Sequence, residues 1–420
     1  MVPTNERRRD FLKGLSVLAG AASAPALAFG QSAGMVGYDN TATHKAIAGR
    51  AKITEVVNIP LRVEKDLGSY PDWVGNPRHI TIGGGSYLEV RTDQGVTGIG
   101  PGVDPVLLAR INTILVGKDP CDVNLIAARL YDLPQSSAYA GGAGAEIAGW
   151  DLVGKLANMP LYKLWGGGRD RVMPYASMLR LSSPQERGEL AAKLKAEGWK
   201  AIKLRASFPT MKEDIQLVEA VRKVCGEDFI VMCDGNKATL NSGSTQGVSW
   251  DFTRALATAL EYQRLGVYWL EEPLPRYDYD DLARLKSLTS MHLAGGEGNR
   301  GLNEYKDLLE KSSFDIIQPE VMLNGPNVLR KAAVLAESRY KMIEPHVGDS
   351  RLGTVCDLHL IATFPNTPML EIFNDQPIGN FEYPFGIFEN PITLDKDGYF
   401  NLPQGPGLGM KIRQDLIQKG

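Results

Sequence analysis

Three acids stand at the ends of short β-rich runs: Asp234 in Cys-Asp-Gly-Asn, Glu271 in Trp-Leu-Glu-Glu-Pro and Glu297 in Gly-Gly-Glu-Gly. A hard divalent cation such as Mg²⁺ takes octahedral oxygen ligands and keeps some positions for water or substrate, so three carboxylates meeting at one place would supply half of its shell. Glu272, beside Glu271, is expected to point the other way by strand alternation. Lys203 and Arg205 lie two apart on another run, which puts both side chains on one face. Their charge is needed, because three carboxylates around a divalent ion leave the site anionic before an acid substrate arrives. Arg205 is unsuited to removing a proton, since a guanidinium keeps its own; holding an anion or a hydroxyl is its expected role. His346 in Glu-Pro-His-Val and Glu320 in Gln-Pro-Glu-Val end two further runs. An imidazole beside a carboxylate can take a proton near neutral pH and give it back. Glu371 in Met-Leu-Glu-Ile-Phe ends one more.

Positioning these groups is the work of a repeating pattern. The runs 172–177, 200–205, 229–234, 267–271, 292–297, 314–318, 342–346 and 369–373 alternate with helix-length amphipathic segments. Eight βα repeats of roughly 25 to 35 residues are the arithmetic of a (β/α)₈, TIM-like barrel, and in a barrel the C-terminal strand ends meet around one mouth. A doubly wound open sheet is the main alternative.

Ahead of the repeats, residues 52–63 alternate as a strand does, and residues 86–100 read as two strands turned at Asp93-Gln94-Gly95. With the helical patterns that follow, they predict an α+β capping domain. Residues 66–86 hold Tyr70, Trp73, Arg78 and His79 among glycines and prolines, the mixture of a mobile specificity loop. Trp73, Arg78, His79 and Asn236 are the expected substrate contacts. Gly98-Ile99-Gly100-Pro101-Gly102 lacks the third glycine of a dinucleotide fingerprint at the required spacing and reads as a turn between cap elements. The boundaries are then 51–165 for the cap, 166–373 for the barrel, and 374–420 for a segment returning to the cap.

Composition excludes several other functions. The 420 residues are 43% hydrophobic and 23% charged, with 46 basic against 49 acidic side chains. This is a globular composition with no positive field for nucleic acid. The four cysteines lack zinc or disulfide-scaffold spacing and are expected to be buried. Arg8-Arg9-Asp10-Phe11-Leu12-Lys13, a modestly apolar stretch and Ala26-Leu27-Ala28 resemble a twin-arginine export signal over residues 1–28, followed by a linker over 29–50. A folded bacterial periplasmic protein is the expectation, and no other apolar run is long enough for a bilayer.

Taken together, these motifs resemble the enolase superfamily and its mandelate racemase/muconate lactonizing enzyme-like subgroup, acid sugar dehydratases included. The similarity covers nearly everything from about residue 50 onward, including Gly149-Trp150-Asp151-Leu152-Val153-Gly154-Lys155, residues 160–167 and Gly405-Pro406-Gly407-Leu408-Gly409. The resemblance implies that Asp234, Glu271 and Glu297 bind Mg²⁺, that Lys203 polarises the substrate carboxylate, and that His346 paired with an acid is the base. It also implies that a protonated Glu371 donates to the substrate carboxylate. Two positions depart from the family pattern. Arg205 stands where a second lysine base is usual, and Glu320 replaces Asp, which leaves its contact with His346 open.

One base on one face suits β-elimination of water from a hydroxylated acid, a sugar acid above all, to a 2-keto-3-deoxy product. Racemisation, epimerisation or cycloisomerisation through the same enolate remains the alternative within the family. A non-catalytic periplasmic sugar-acid-binding protein is the alternative from another class. The resemblance further implies an even-numbered homo-oligomer.

Overall fold

A computed structural model describes residues 51–133, 141–238, 249–348 and 351–418. The export signal and the linker lie outside the described residues. The cap begins with an antiparallel sheet in the order β1 (Ile53–Pro60), β4 (Ser86–Thr92), β5 (Thr97–Pro101). Inserted between β1 and β4 is a hairpin of β2 (Val63–Pro71) and β3 (Pro77–Gly83).

This hairpin corrects the expected loop over 66–86. Its strands are largely exposed on both faces, so no apolar alternation marked them. Bulges near Gly68 break the register, and the Asp72 carboxylate shapes the tip by accepting from the Val74 and Asn76 amides at 3.0 and 2.9 Å. The Gly98-Ile99-Gly100 segment is likewise strand β5 rather than a turn. A Cβ on Gly98 would lie 2.2 Å from the Ala148 carbonyl oxygen, and one on Gly100 would lie 2.3 Å from that of Gly144. Glycine is there so that the helix Ala143–Leu156 can lie directly on the strand.

Short β6 (Arg171–Val172) pairs with β15 (Phe400–Asn401), and between them runs the barrel. Its strands are β7 (Pro174–Ser177), β8 (Ala201–Arg205), β9 (Ile230–Asp234), β10 (Trp269–Glu271), β11 (His292–Gly295), β12 (Ile316–Ile317), β13 (Met342–Ile343) and β14 (Leu370–Phe373). They form one sheet in sequential order, with β14 returning to pair parallel with β7. The curled parallel sheet bears out the TIM-like barrel over the open-sheet alternative.

At the seam between β13 and β14, one backbone bond, from Ile343 N to the Asn366 carbonyl at 3.2 Å, is joined by side-chain bonds. Met369 N donates to Glu344 Oε2 at 3.2 Å, and Asn366 Nδ2 donates to the Lys341 carbonyl at 2.9 Å. The period-2 alternation of strands sorts the residues into layers. Outward side chains such as Ile202, Leu204, Cys233, Leu270, Leu293, Ile317 and Leu370 join the core shared with the helices. Inward ones, Tyr175, Ala201, Met232, Trp269, Ala294, Ile316 and Met369, fill the barrel interior. Two residues farther along six of these strands come Ser177, Lys203, Asp234, Glu271, Gln318 and Glu371, all buried. A polar layer therefore sits on an apolar plug at the C-terminal mouth. The segment after β15 runs back to the cap, where Leu61 bridges Ile417 and Arg62 pairs with Asp415 at 3.1 Å.

Candidate active site

Strand register sets the level of each group. Arg205 is opposite Asp234, Asp234 is opposite Glu271, and Lys203 is opposite Ser177. Lys203 is wholly buried, with Nζ 2.8 Å from Glu271 Oε1, 2.7 Å from Glu371 Oε1 and 3.9 Å from Asp234 Oδ2. Burial pulls its pKa down, but the Glu271, Glu371 and Asp234 carboxylates outweigh that and hold it above the ordinary lysine value. Glu271 is fixed further by Trp269 Nε1 at 3.1 Å and Gln318 Nε2 at 2.9 Å. Neither donor announced itself in the sequence, although Gln318 has the strand-end position shared by the acids.

Glu371 departs from the protonated donor expected of it. Burial would raise its pKa, but the Lys203 ammonium, the His346 imidazole and the Ser177 hydroxyl at 2.7 Å hold it down to about 2. It is an ionised partner of Lys203.

Arg205 also differs from expectation. Its Nε donates to the Met178 carbonyl at 2.6 Å, while Nη1 bonds Asp234 and also Asn236 Oδ1 at 3.1 Å. The guanidinium thus braces Asp234 through Nη1. Asn236, expected to touch substrate, turns onto Asp234 through its amide N at 2.8 Å and its Nδ2 at 2.9 Å. Trp73, at the tip of the β2–β3 hairpin, covers Arg205 with its ring centroid 4.6 Å from the guanidinium carbon. Arg78 bonds Asp72 at 3.2 Å, and His79 lies 3.1 Å from Ser69 and 3.4 Å from Asp66. Of the four expected substrate contacts, Asn236 and Trp73 brace the site, Arg78 stays on the cap, and His79 faces the space between cap and barrel.

Across the mouth, the contact left open by the sequence is made: His346 Nδ1 lies 2.8 Å from Glu320 Oε2. The extra methylene of Glu320 is accommodated because its carboxylate caps its own turn, accepting from Met322 N at 2.8 Å, and also accepts from Gly348 N at 2.8 Å. His346 Nε2 points the other way, 3.2 Å from Glu297 Oε2. Burial would lower the imidazole pKa, but Glu297, Glu371 and Glu320 together hold it well above the usual histidine value.

At Glu272 the strand alternation is interrupted: a left-handed φ of 44° turns the chain at the end of β10, and the Glu272 side chain is buried. Burial and the charges of Glu297, Asp234 and Glu271 push its carboxyl well above the usual range, and its Oε1 has no hydrogen-bond partner among the described residues. Asp234 is pushed up to about 7, first by burial and then by Glu271. Among the described residues no three acid, imidazole or thiol groups close around a common point. Lys203 and Arg205 stand against the oxygens of Glu271 and Asp234 instead. The donor set nonetheless fits a hard cation in kind: buried carboxylates side by side in register, an orphaned carboxylate oxygen beside them, and mutual repulsion that a cation would relieve.

Comparison with known proteins agrees with this fold. Residues 186–416 match the family described as Enolase C-terminal domain-like, and residues 81–166 match the Mandelate racemase / muconate lactonizing enzyme, N-terminal domain. The chain is 30% identical over 288 residues to an arabinonate dehydratase from Saccharolobus solfataricus, covering 67% of this chain and 72% of that one. It is 27% identical over 350 residues to a D-galactarolactone cycloisomerase from Agrobacterium fabrum, covering 79% and 89%. A mandelate racemase/muconate lactonizing protein from Paracoccus denitrificans PD1222, solved in complex with magnesium, shares the fold with a TM-score of 0.71 at 24% identity, over 87% of this chain and 97% of that one. Barrel and cap thus have one explanation, and this chain belongs to the mandelate racemase/muconate lactonizing enzyme family of the enolase superfamily.

Proposed function

We propose that the protein is a Mg²⁺-dependent dehydratase of hydroxylated carboxylic acids, with sugar acids as its substrates. The observation that carries this reading is the asymmetry of the mouth. The His346–Glu320 pair supplies a base on one side, whereas Arg205, always protonated and tied to Asp234, occupies the place of a second base. A two-base racemase needs proton transfer on both faces; an elimination needs one.

Asp234, Glu271 and Glu297 would hold the ion, with Glu272 close by. Bound Mg²⁺ supplies Lewis-acid stabilisation of charge developing on the substrate carboxylate. Lys203 adds a second positive charge from the barrel interior, in a site where low polarity strengthens it. With Glu297 drawn to the ion, the first of the carboxylates that raise the His346 pKa would be withdrawn, and Nε2 could then take the α-proton while Glu320 holds Nδ1. The Cβ–O bond then breaks, and the hydroxyl leaves as water with the proton returned by His346. The enol product tautomerises to a 2-keto-3-deoxy acid.

The arabinonate dehydratase relative supports elimination. The cycloisomerase relative supports a second reading, in which the same proton abstraction leads to isomerisation. A panel of acid sugars incubated with Mg²⁺ in D₂O separates them. Release of 2-keto acid supports dehydration, α-deuterium uptake without loss of water supports isomerisation, and tight binding with neither identifies a binding protein. The proposal extends to export through residues 1–28 to the periplasm, read by cell fractionation of wild type against Arg8→Lys/Arg9→Lys, and to an even-numbered homo-oligomer, read by light scattering.

A further inference from the structure

Residues 346–348 are threaded between two acids. Val347 N donates to Glu371 Oε2 at 3.2 Å, and Gly348 N donates to Glu320 Oε2 at 2.8 Å. Three positions on, Arg351 opens the helix Arg351–Ile361 and reaches toward the cap. Its Nη1 donates to the Gly84 carbonyl at 2.7 Å and its Nη2 to the Gly83 carbonyl at 2.6 Å. These acceptors belong to the turn between β3 and β4, where Gly83, Gly84 and Gly85 have φ of 78°, 77° and 70°. A Cβ on Gly83 would lie 2.5 Å from the Arg62 carbonyl oxygen, so only glycine presents this pair of carbonyls here.

The helix Arg351–Ile361 packs on β5 and on the helix Ala143–Leu156, but beside the fork lies a cavity of about 510 Å³ between cap and barrel, lined among others by His79, Ser86, Glu320, Gly348, Arg351 and Tyr383. Side chains lining a void lack the dispersion contacts that would otherwise fix one element on the other. A guanidinium fork on two carbonyls is a directional, charge-assisted tie across that gap. Only three peptide links separate Gly348 from Arg351, a span of roughly 11 Å at full extension. Arg351 and the backbone donor that Glu320 accepts are thus joined by a short length of chain.

We propose that Arg351 is a positioning residue: seating of the Gly83–Gly84 carbonyls on its guanidinium holds residues 346–348 where Gly348 N and His346 Nδ1 both meet Glu320, so that cap placement and base alignment are one event. The inference rests on reading His346 as the base. Its first test needs no substrate.

Amide hydrogen exchange of the full-length protein is compared in wild type, Arg351→Ala and Arg351→Lys. Loss of the fork is expected to speed exchange about tenfold or more both in the turn at 83–86 and at 346–348. On an acid that the wild type turns over, Arg351→Ala is expected to lower kcat by roughly 10- to 100-fold with a smaller change in KM, and added guanidinium ion to restore part of kcat. Lysine, which can reach one carbonyl, falls between. Should Arg351→Ala fail to fold, Arg351→Lys carries both readouts. Faster exchange confined to the cap turn, with 346–348 and kcat unchanged, overturns the proposal and leaves Arg351 a cap staple. Coupled exchange in a protein inert toward every acid supports the positioning role while sinking the dehydratase reading.

Discussion

Glu320 and His346 form a pair that is fixed from one side only. Met322 N and Gly348 N hold the carboxylate, which in turn holds Nδ1 at 2.8 Å, and Nε2 is left to face Glu297 across the mouth. His346→Asn is expected to lower turnover and α-hydrogen exchange in D₂O by about 10² to 10⁴-fold. Glu320→Gln keeps an acceptor but loses the charge, and a fall in kcat of roughly tenfold to a hundredfold is expected. Unchanged exchange in His346→Asn would remove the base from this site.

Binding of the cation is open to a measurement that ignores catalysis. A ligand that binds only the folded state raises its stability in proportion to the logarithm of ligand concentration. Mg²⁺ is expected to raise Tm of the wild type and to restore turnover after chelation, with both responses weakened in Glu297→Gln. Glu297 is the test position because its side chain is 24% exposed, whereas Glu271→Gln would also remove the carboxylate facing buried Lys203. A Tm indifferent to Mg²⁺ in the wild type would count against the acids as ligands.

His359 gives a pH dependence remote from the mouth. It is wholly buried, lying 3.3 Å from Tyr162 N through Nδ1 and 3.1 Å from the Leu408 carbonyl through Nε2. Burial lowers its pKa from 6.5 to about 4. Between those values the unfolded chain binds a proton that the folded protein refuses, so stability falls as pH drops from about 6.5 toward 4, by at most about 3 kcal/mol. Urea midpoints across this window should show the fall. In His359→Gln the slope should flatten, even though the variant starts from a lower stability.

Gly98→Ala tests the close approach inside the cap. A methyl placed 2.2 Å from the Ala148 oxygen and 2.7 Å from Leu152 Cβ must push the helix Ala143–Leu156 off β5. A loss of about 1–3 kcal/mol is expected from overpacking, read as a lower urea midpoint. Gly95→Ala makes a useful contrast. Its Cβ would meet nothing within 4 Å, and its φ of 74° leaves only backbone strain.

Much of the barrel was legible because its strands are short apolar runs that end in charge. Lys203, Asp234, Glu271 and Glu371 each follow an inward apolar residue by two positions, which is how a buried polar layer shows itself in sequence. Gln318 follows the same rule but carries no charge to draw attention. What could not be read is which neighbour each group meets. Nothing local to Arg205 shows that Asp234, Asn236 and the Met178 carbonyl surround it. The partners that favour an ionised Glu371, Lys203 and Ser177, come from other strands and cannot be read from its own segment. Glu272 escaped the alternation rule through a single backbone angle. The β2–β3 hairpin escaped because exposed strands need no apolar pattern.

The join between Leu61 and Ile417, with Arg62 on Asp415 and Gln418 N on the Pro60 carbonyl at 3.0 Å, bears on the timing of folding. The edge of the cap beside Pro60 and Leu61 is finished by residues synthesised more than 350 positions later. While the ribosome is still adding the barrel, the emerging cap lacks that border. Shortening the chain by a handful of residues before 418 should therefore injure the first domain made, not the last.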